Sequence, residues 1–541
     1  MPKLAPRLLR SLTWVGFPLW VCLASVSQAD ESLHSRIDEI TEAKAGGALA
    51  APSSDAEFLR RVYLDLAGRI PSVEETKEFL ADTASEKRRV TIDRLLASED
   101  HVRRMTQAFD VMLMERLADD ATWKKYLHQS FKVNKPWDQM AREILNPNSE
   151  EEALRGAAVW YVKRLENYGQ NPVDVPALVR DVGRHFMGID VQCCQCHDHL
   201  FVDEYKQDYY QGIYAFVGQA YIRKDVQYPA IGLKPIEKKV EYMSVFDQQP
   251  MAVGPKLPGM EEVALPTYAK GEEFALPPDN KTKFLGVPKF HTLSILSEQL
   301  PRAENSLFTR NIANRLWWLM IGRGLVWPLD LQHADNAPSH PEVLDLLAKD
   351  LTEHQFDMRR LLREIALSRT YQRSSVALDE ASAEAPLESH GAALEKQLSS
   401  EQMLASVRQA LGASKPLVIA ADDTSWAQWQ AKFNMAMANP AREPEVEHSP
   451  TVKAALFLMN DETLLGWINP QDDNLAARLM KIESADALAD ELYLAVLSRQ
   501  PTDEERTQAG EYLAVRKDRR EQAVANLVWS LLASNEFCAN H

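Results

Sequence analysis

Cysteine is scarce in this chain, with five residues among 541. This scarcity excludes the disulfide-rich class of small secreted domains, so the fold must be stabilised by packing. Hydrophobic residues make up 45% of the chain, which is enough for two or three domains with proper cores. Three of the cysteines nevertheless cluster at Cys193, Cys194 and Cys196, and this cluster must have a local cause.

Basic residues are outnumbered by acidic ones, 61 to 78, which gives a formal net charge of −17. An acidic chain lacks the basic surface that neutralises phosphate groups, so nucleic acid is excluded as the main partner. The excess of carboxylates is compatible with a solubilising surface or an acidic electron-transfer surface.

Long apolar runs are limited to the N-terminus, where a basic segment precedes the apolar stretch 12–26. This stretch is shorter than the roughly twenty residues that span a bilayer. Ser27 and Ala29 supply the small side chains that signal peptidase requires. We therefore predict a signal peptide over residues 1–29 and an extracytoplasmic protein, periplasmic or secreted, with no integral membrane segment after cleavage.

The first half of the chain has the apolar spacing and the end signals of α-helices. Ser54 or Asp55 is placed to cap a helix that ends at Gly68. Ser72 and Glu75 then have the spacing of a capping box at the start of the next helix.

The C-terminus repeats this pattern. Residues 62–75 read VYLDLAGRIPSVEE and residues 492–505 read LYLAVLSRQPTDEE, while LLASEDH at 95–101 matches LLASNEF at 531–537. The repeat predicts two copies of a three-helix unit. We interpret them as duplicated packing units in which the tyrosine fills a core, with a duplicated docking surface as the alternative.

The fold class predicted from these patterns is mainly α, a multi-helical two-domain protein with a small β-containing insertion between the halves. Within the insertion, residues 238–260 alternate and are broken by proline and glycine, which predicts a short hairpin followed by an extended segment. The predicted regions are a helical domain with the CxxCH motif over 30–220, an irregular or β insertion over 221–300, a helical C-terminal domain over 301–375 and 397–541, and an exposed linker over 376–396.

The cysteine cluster contains the pattern C-x-x-C-H at Cys193, Cys196 and His197. Two thiols three positions apart can add to the two vinyl groups of a haem, and the adjacent imidazole then binds the iron. Covalent haem attachment in bacteria takes place outside the cytoplasmic membrane, which agrees with the predicted export signal. The pattern therefore predicts covalently bound haem c, with His197 as an iron ligand.

Haem is one of several groups that the cluster could hold. A zinc ion could use Cys193, Cys196, His197 and His199, although four ligands within seven residues are crowded. A disulfide could join Cys193 to Cys196, or Cys194 to Cys538, and inert packing without any cofactor is the remaining alternative.

A haem iron could also bind a sixth ligand. Met251 follows Pro250 in the irregular segment downstream, a setting from which a thioether can approach iron. His199 is tethered on the same side as His197 and would have difficulty reaching the opposite face. Met251 is therefore the candidate sixth ligand, although methionines are more often packing groups.

Two further segments contain residues that could belong to a site. Asn314, Arg315 and Gly322 indicate a helix that ends in a glycine turn with an internal Asn–Arg network, with a binding cleft as the alternative. His333, Asp335, His340 and Asp345 are scattered metal-ligand types, but Ser339 to Glu342 has the pattern of a helix start.

The stretches RRVYLDLAGRIPSVEE, LLASEDH and VQCCQCHDHLFVDEYKQDYYQGIYAFVG resemble the cytochrome-like domain of large secreted planctomycete proteins. NRLWWLMIGRGLVWPLDLQHADNAPSHPEVLDLL and the segments that follow resemble the C-terminal domain that accompanies it. The resemblance implies an exported, cytochrome-like protein but no established activity. This chain departs from the family pattern at Cys194, where alanine is usual, and at Leu200, where proline is usual.

We therefore predict an exported c-type haem protein with an electron-transfer or other redox role and an unidentified redox partner protein. The alternative is a helical scaffold or binding protein of the cell surface or of polysaccharide utilisation, with a metal or disulfide staple at the cluster. A metal-dependent hydrolase is a third hypothesis, but no general base can be named for it, and the sequence does not decide whether the protein is an enzyme.

Overall fold

The computed structural model describes residues 32–45, 49–166, 175–246, 249–376, 386–412, 415–419, 424–444 and 451–541. The predicted signal peptide lies outside these residues. Leu33–His541 form a single compact unit, so the two predicted halves pack against each other. Among the described residues, no helix has both the length and the apolar character needed to cross a membrane.

The first half is a series of helices. In chain order they are α1 Leu33–Ala45, α2 Asp55–Ala67, α3 Val73–Ala81, α4 Lys87–Leu96, α5 Glu99–Met114, α6 Ala121–Lys132, α7 Trp137–Leu145, α8 Val159–Leu165, α9 Val175–Val182 and α10 Gln207–Val217. A 3₁₀-helix at Glu152–Ala158, a π-helix at Gly183–Met187 and a 3₁₀-helix at Gln192–Gln195 extend or join them.

Helices also build the second half. They are α11 Thr292–Gln299, α12 Ser306–Ile321, α13 Pro341–Glu353, α14 Met358–Leu367, α15 Ser400–Leu411, α16 Thr424–Met437, α17 Val452–Asn460, α18 Glu462–Ile468, α19 Leu475–Met480, α20 Ala485–Leu497, α21 Asp503–Val515, α22 Arg520–Leu532 and α23 Asn535–Cys538. Short 3₁₀-helices lie at Leu387–Ser389 and Lys517–Arg519.

The β-structure consists of antiparallel pairs of short strands. These are β1 Ala220–Ile222 with β2 Ile231–Leu233, β3 Val240–Met243 with β4 Pro250–Val253, β5 Phe274–Leu276 with β6 Val287–Pro288, and β7 Lys396–Gln397 with β8 Ala539–Asn540. The first three pairs lie between the helical halves, and β3–β4 is the hairpin expected within 238–260. The mainly α class with a small β-containing insertion is confirmed, whereas the exact domain boundaries stay predictions.

Two hydrophobic cores hold the helices together. The larger core extends from Leu33 to Tyr371 and contains buried tryptophans, among them Trp137 and Trp160. The smaller core lies mainly within 398–537, but it also takes Leu64, Ile70 and Val73 from the N-terminal part of the chain. Helix α2 therefore contributes to both cores and links the two halves.

The predicted repeat is visible as two copies of one local structure. In the first copy, Arg69 donates to both carboxylate oxygens of Glu75, at 2.8 and 3.0 Å, and its guanidinium lies 5.3 Å from the ring centre of Tyr63. Nε of Arg69 donates to Asp100 at 2.8 Å, and Ser72 and Glu75 form the predicted capping box.

The second copy makes the same contacts with the corresponding residues. Arg499 donates to both oxygens of Glu505 at 2.8 Å, lies 5.3 Å from the ring centre of Tyr493 and donates to Glu536 at 2.6 Å. Thr502 and Glu505 form its capping box. The contacts are internal to each unit, which supports the interpretation as duplicated packing units.

The segment predicted as an exposed linker, 376–396, is described only in part. Residues 377–385 lie outside the described residues. In the remainder, His390 is buried with its ring 5.3 Å from that of Trp317, and Lys396 donates to Asp65 at 2.5 Å. Val376, Leu387 and Glu395 are exposed as expected. The expectation is wrong for His390 and Lys396, because the Trp317 ring and the Asp65 carboxylate hold these side chains against the helices.

Candidate functional site

The CxxCH motif lies in a short loop that precedes helix α10. Asp190 opens the loop: its main-chain N–H donates to the carbonyl of Asp330, and its carboxylate accepts from the main-chain N–H of Gln192 at 2.9 Å. The Gln192–Gln195 turn follows. The loop is therefore fixed at its start by a side-chain turn and by the second half of the chain.

The three cysteines of the loop differ in exposure. Cys193 and Cys196 are exposed free thiols, whereas Cys194 is fully buried. The Cys194 thiol donates to the carbonyl of Tyr205 at 3.4 Å, and burial raises the pKa of this thiol to about 12. The two motif thiols therefore face solvent while the extra thiol is a packing group.

No disulfide joins cysteines in the part of the chain that the structure describes. Cys194 packs within the larger core, and the Cys538 thiol donates to the carbonyl of Leu532 at 3.8 Å. Cys193, Cys194, Cys196 and Cys538 are all free thiols in the described structure, which therefore contains neither the Cys193–Cys196 nor the Cys194–Cys538 disulfide.

The His197 ring is oriented by a main-chain carbonyl. Its Nδ1 lies 2.6 Å from the carbonyl oxygen of Asp198, and a carbonyl can only accept, so Nδ1 carries the proton. In the neutral ring, Nε2 then keeps its lone pair. This is the arrangement in which a histidine binds a metal through Nε2 while Nδ1–H donates to the backbone.

The His199 ring is used differently. Its Nδ1 accepts from the main-chain N–H groups of Phe201 at 3.2 Å and Val202 at 3.0 Å. A neutral ring with Nδ1 as acceptor carries its proton on Nε2, so no lone pair is left for a metal in this conformation. His199 therefore organises the turn after the motif.

Helix α10 and the β3–β4 hairpin hold the loop from the other side. Gln207 and Gln211, one turn apart on α10, both donate to the carbonyl of Gln195, at 3.3 and 3.1 Å. The main-chain N–H of Val245 donates to the carbonyl of Cys196 at 3.1 Å. Sequence reasoning missed these glutamines, although their i, i+4 spacing directly after the motif was a usable signal.

Large apolar side chains around the motif are exposed to solvent. Phe246 is 69% exposed, with its ring 4.9 Å from that of His197, and Phe201 is 86% exposed beside His199. Leu200, Met243 and Val245 are exposed as well. Apolar side chains grouped in this way indicate a surface that is covered by another group or molecule.

The predicted sixth ligand, Met251, lies in the neighbouring hairpin. It pairs with Tyr242 across β3 and β4 and is 38% exposed. The structure thus places Met251 in the hairpin that contacts the motif loop through Val245, and its role as an iron ligand stays a prediction.

A preformed metal cluster is found elsewhere. Among the described residues, only Glu115, Asp181 and His185 offer three metal-ligand atoms within 4.8 Å of one another, so the zinc set of the motif loop is not assembled. Arg184 donates to Glu115 at 2.7 Å, and Arg164 donates to Asp181 at 2.7 Å. These guanidinium groups already supply the positive charge that a cation would bring, so the cluster is an ion-pair network.

The scattered ligand types of 333–345 are also not brought together. Asp345 pairs with Arg310, while His340 is buried with its ring 5.2 Å from that of His390. Pro341 is the first residue of α13, which confirms the position of the predicted helix start, but the N-cap is His340 without a side-chain hydrogen bond, so the expected Ser339–Glu342 capping box is not formed.

Asn314 and Arg315 form the predicted internal network. Asn314 donates to the carbonyl of Val326 at 2.9 Å and accepts from its N–H at 3.0 Å, and Arg315 donates to Asn311 at 2.9 Å. Helix α12 ends at Gly322 with φ 98°. The interpretation as a helix that ends in a glycine turn is confirmed.

The fold and the loop thus define a mainly α protein with two exposed thiols and an oriented imidazole in one turn. Residues 36–221 match the family model PSCyt2, a protein of unknown function (DUF1549), and residues 294–443 match the model PSD1, a protein of unknown function (DUF1553). The two matches follow each other along the chain in the same order as the two domains that the sequence resembles. Neither curated proteins nor solved structures gave a significant match.

Proposed function

We propose that this chain is an exported c-type haem protein of the planctomycete secreted cytochrome-like family, with a redox role toward a partner protein. The observation that carries the proposal is the motif loop itself. It presents the exposed thiols of Cys193 and Cys196 together with a His197 ring whose Nε2 is available. The order of the two family matches and the name PSCyt2 support the family assignment.

The residues of the loop fit a covalently bound haem. Cys193 and Cys196 would hold the porphyrin through thioether bonds, and Nε2 of His197 would bind the iron. Phe246 and the other exposed apolar side chains offer a surface for the porphyrin faces. A bound haem would supply one-electron transfer, and its exposed position suits contact with a redox partner.

Several residues would tune such a group. The carbonyl of Asp198 fixes the tautomer and the orientation of the His197 ring, as the outer partners of metal-binding histidines do. Met251 is our candidate for the sixth ligand. The predicted signal peptide and the extracytoplasmic location belong to the same proposal, because haem attachment through thiols requires export.

The test is expression with the N-terminal signal in a host that carries out c-type haem maturation, followed by haem-dependent peroxidase staining of a denaturing gel. We expect a stained band for the natural protein and for Cys194→Ala, which is the matched control because Cys194 is buried beside the motif. The double variant Cys193→Ser/Cys196→Ser should not stain. Met251→Ala should stain equally but change the absorption spectrum if Met251 binds iron.

An unstained natural protein, in a host where a known cytochrome stains, would contradict the proposal. The scaffold or binding protein of the cell surface would then be the better hypothesis. In that case metal analysis of the native protein would separate a zinc staple from a loop without any metal.

A further inference from the structure

A cavity of about 350 Å³ is lined by residues from both matched regions, and none of the described lining residues belongs to the motif loop. Helices α5 and α12 each contribute residues three or four positions apart, so each turns one face toward the cavity. Its volume is at the lower end of the range for small-molecule sites, about 300–1,000 Å³.

Most charges around the cavity are neutralised by a partner. Arg184 donates to Glu115 at 2.7 Å and to Asp330 at 2.9 Å. Lys396 donates to the carboxylate of Asp65 at 2.5 Å and to the carbonyl of Met320 at 2.6 Å.

Two further buried charges of the lining, Arg315 and Glu401, are also paired. Arg315 pairs with Asp330, and Glu401 accepts from Arg116. Glu395 also lines the cavity, but its side chain is exposed to solvent.

Arg104 is the exception among these cations. Its side chain is only 7% exposed, and Nε makes one long contact of 3.4 Å with the main-chain carbonyl of Asp65. Among the described residues, its two terminal amino groups have neither a hydrogen bond nor an ion pair. The Asp65 carboxylate is occupied by Lys396, Tyr371 and Asn540, so it does not serve as the counter-ion.

A buried guanidinium without a counter-ion is costly. Burial lowers the pKa of Arg104 despite the nearby charges of Asp65 and Glu401. Taking a charge out of water without pairing it is strongly unfavourable, yet arginine stays protonated in proteins. An anion bound in the cavity would remove this cost, and the planar guanidinium fork matches a carboxylate in particular.

The apolar part of the lining, which includes residues on the same face of α5 as Arg104, determines what the rest of the ligand can be. Ala108, Val111 and Met112 form an apolar strip along α5, and Trp318 presents its half-buried indole from α12. Such a wall packs against an aliphatic or aromatic body and not against a second charge. One unpaired cation and one apolar wall therefore select a ligand with a single negative charge.

We propose that this cavity binds a small organic monocarboxylate, with its carboxylate on Arg104 and its apolar body against Met112 and Trp318. The described lining contains no residue of the motif loop, and the proposal stands whether or not the loop binds haem.

The probes for the test are acetate, hexanoate and benzoate, with benzamide as the uncharged analogue of benzoate and inorganic sulfate as a non-carboxylate anion. Binding to the full protein is measured by titration calorimetry and by the shift of the thermal unfolding midpoint. We expect hexanoate or benzoate to bind with a dissociation constant of about 1 mM or tighter, the level set by one ion pair plus apolar contact. Benzamide and sulfate should bind at least about tenfold more weakly, a difference of about 1.4 kcal/mol.

Two variants locate the site. Arg104→Met should weaken benzoate or hexanoate at least about tenfold without lowering the thermal midpoint of the ligand-free protein, because an unpaired buried charge is removed. Ala108→Leu should weaken binding while the charge stays in place, because it fills the cavity. Arg103→Met is the matched control: Arg103 is the preceding residue, pairs with Asp100 at 2.8 Å and does not line the cavity, so binding should be unchanged.

Three results would overturn the proposal. The first is no binding of any of the three carboxylates at concentrations up to tens of millimolar. The second is equal affinity of the natural protein and Arg104→Met for a carboxylate. The third is binding of sulfate in preference to all carboxylates, which would assign the cavity to an inorganic anion.

Discussion

At the scale of single residues, neighbouring side chains of one motif have opposite roles. Cys194 and Cys196 are two positions apart, yet one is fully buried and the other is exposed. The same contrast separates His197, whose Nε2 is available, from His199, whose Nδ1 accepts two main-chain hydrogen bonds. The CxxCH spacing selected Cys193, Cys196 and His197, but it did not predict the burial of Cys194 or the turn made by His199, because these depend on which side of the turn faces the core.

This contrast predicts the order in which the thiols react. In protein made without haem maturation, iodoacetamide should modify Cys193 and Cys196 quickly, because both are exposed. Cys194 should react only after unfolding, because its thiol is buried and burial raises its pKa to about 12. Peptide mass spectrometry of samples taken over time measures each rate. Equal rates at Cys194 and Cys196 in the native protein would contradict the structure.

At the scale of elements, the two copies of the repeat differ at the residue that ends the first helix. Gly68 follows α2 with φ 72°, and the corresponding Ser498 follows α20 with φ 59°. Left-handed backbone is free of strain for glycine but costs about 1–2 kcal/mol for other residues. Ser498 is also fully buried, and its hydroxyl has no hydrogen-bond partner in the described structure.

Exchanging the two residues should therefore have opposite effects. Ser498→Gly should raise the free energy of unfolding by up to about 1 kcal/mol, because it relieves backbone strain and removes an unpaired hydroxyl. The greater flexibility of glycine in the unfolded chain offsets part of this gain. Gly68→Ser should lower it by about 1–2 kcal/mol, because it introduces that strain. Its Cβ would also meet Cδ of Arg104 at 3.1 Å.

Urea unfolding of both variants measures these changes. Ser498→Ala is the control, because it removes the hydroxyl but keeps a Cβ in the left-handed backbone. If Ser498→Gly is no more stable than Ser498→Ala, backbone strain at this position is not significant.

Local elements were the part of the fold that the sequence predicted well. The Ser54 cap, the end of α2 at Gly68 and the Ser72–Glu75 capping box depend on residues within one turn of each other, and all are present. The β3–β4 hairpin was also expected from alternation and from proline and glycine. Helix caps and turns are local because the unpaired backbone groups that they satisfy are local.

At the scale of the whole molecule, the features that the sequence did not predict are those that combine distant segments. The cavity takes Asp65, Arg104, Arg315 and Lys396 from four separate elements, and the isolation of Arg104 depends on how its neighbours are paired. His390 gives the same lesson, because its burial depends on Trp317 and His340 and not on its own polar segment. Within the motif, the sequence identified Cys193, Cys196 and His197, but it did not identify the glutamines that hold the loop.

Buried histidines make the stability of the whole molecule dependent on pH. Burial lowers the pKa of His101 and of His340 to about 4, and burial with the nearby charges of His340, Arg323 and Lys44 lowers that of His390 to about 3. In the unfolded chain these rings have a pKa of about 6.5. Between these values the unfolded state binds more protons than the folded state does, so the free energy of unfolding rises with pH.

We therefore expect the urea midpoint to fall as the pH is lowered from about 6.5 to 4.5. Between about pH 6.5 and 7.5 these histidines should not change the midpoint. Glu115 and Glu505, whose pKa values are lowered to about 2, add further losses only as the pH falls below about 4.5. His390→Asn should reduce the slope, since asparagine does not titrate and tolerates the left-handed backbone at this position, φ 53°. His128→Asn replaces an exposed histidine and is the control. It should leave the part of the pH slope that comes from the buried rings unchanged. A midpoint that is equally high at both ends of the acidic range would mean that the buried rings accept protons in the folded protein, which would require water or an anion beside them.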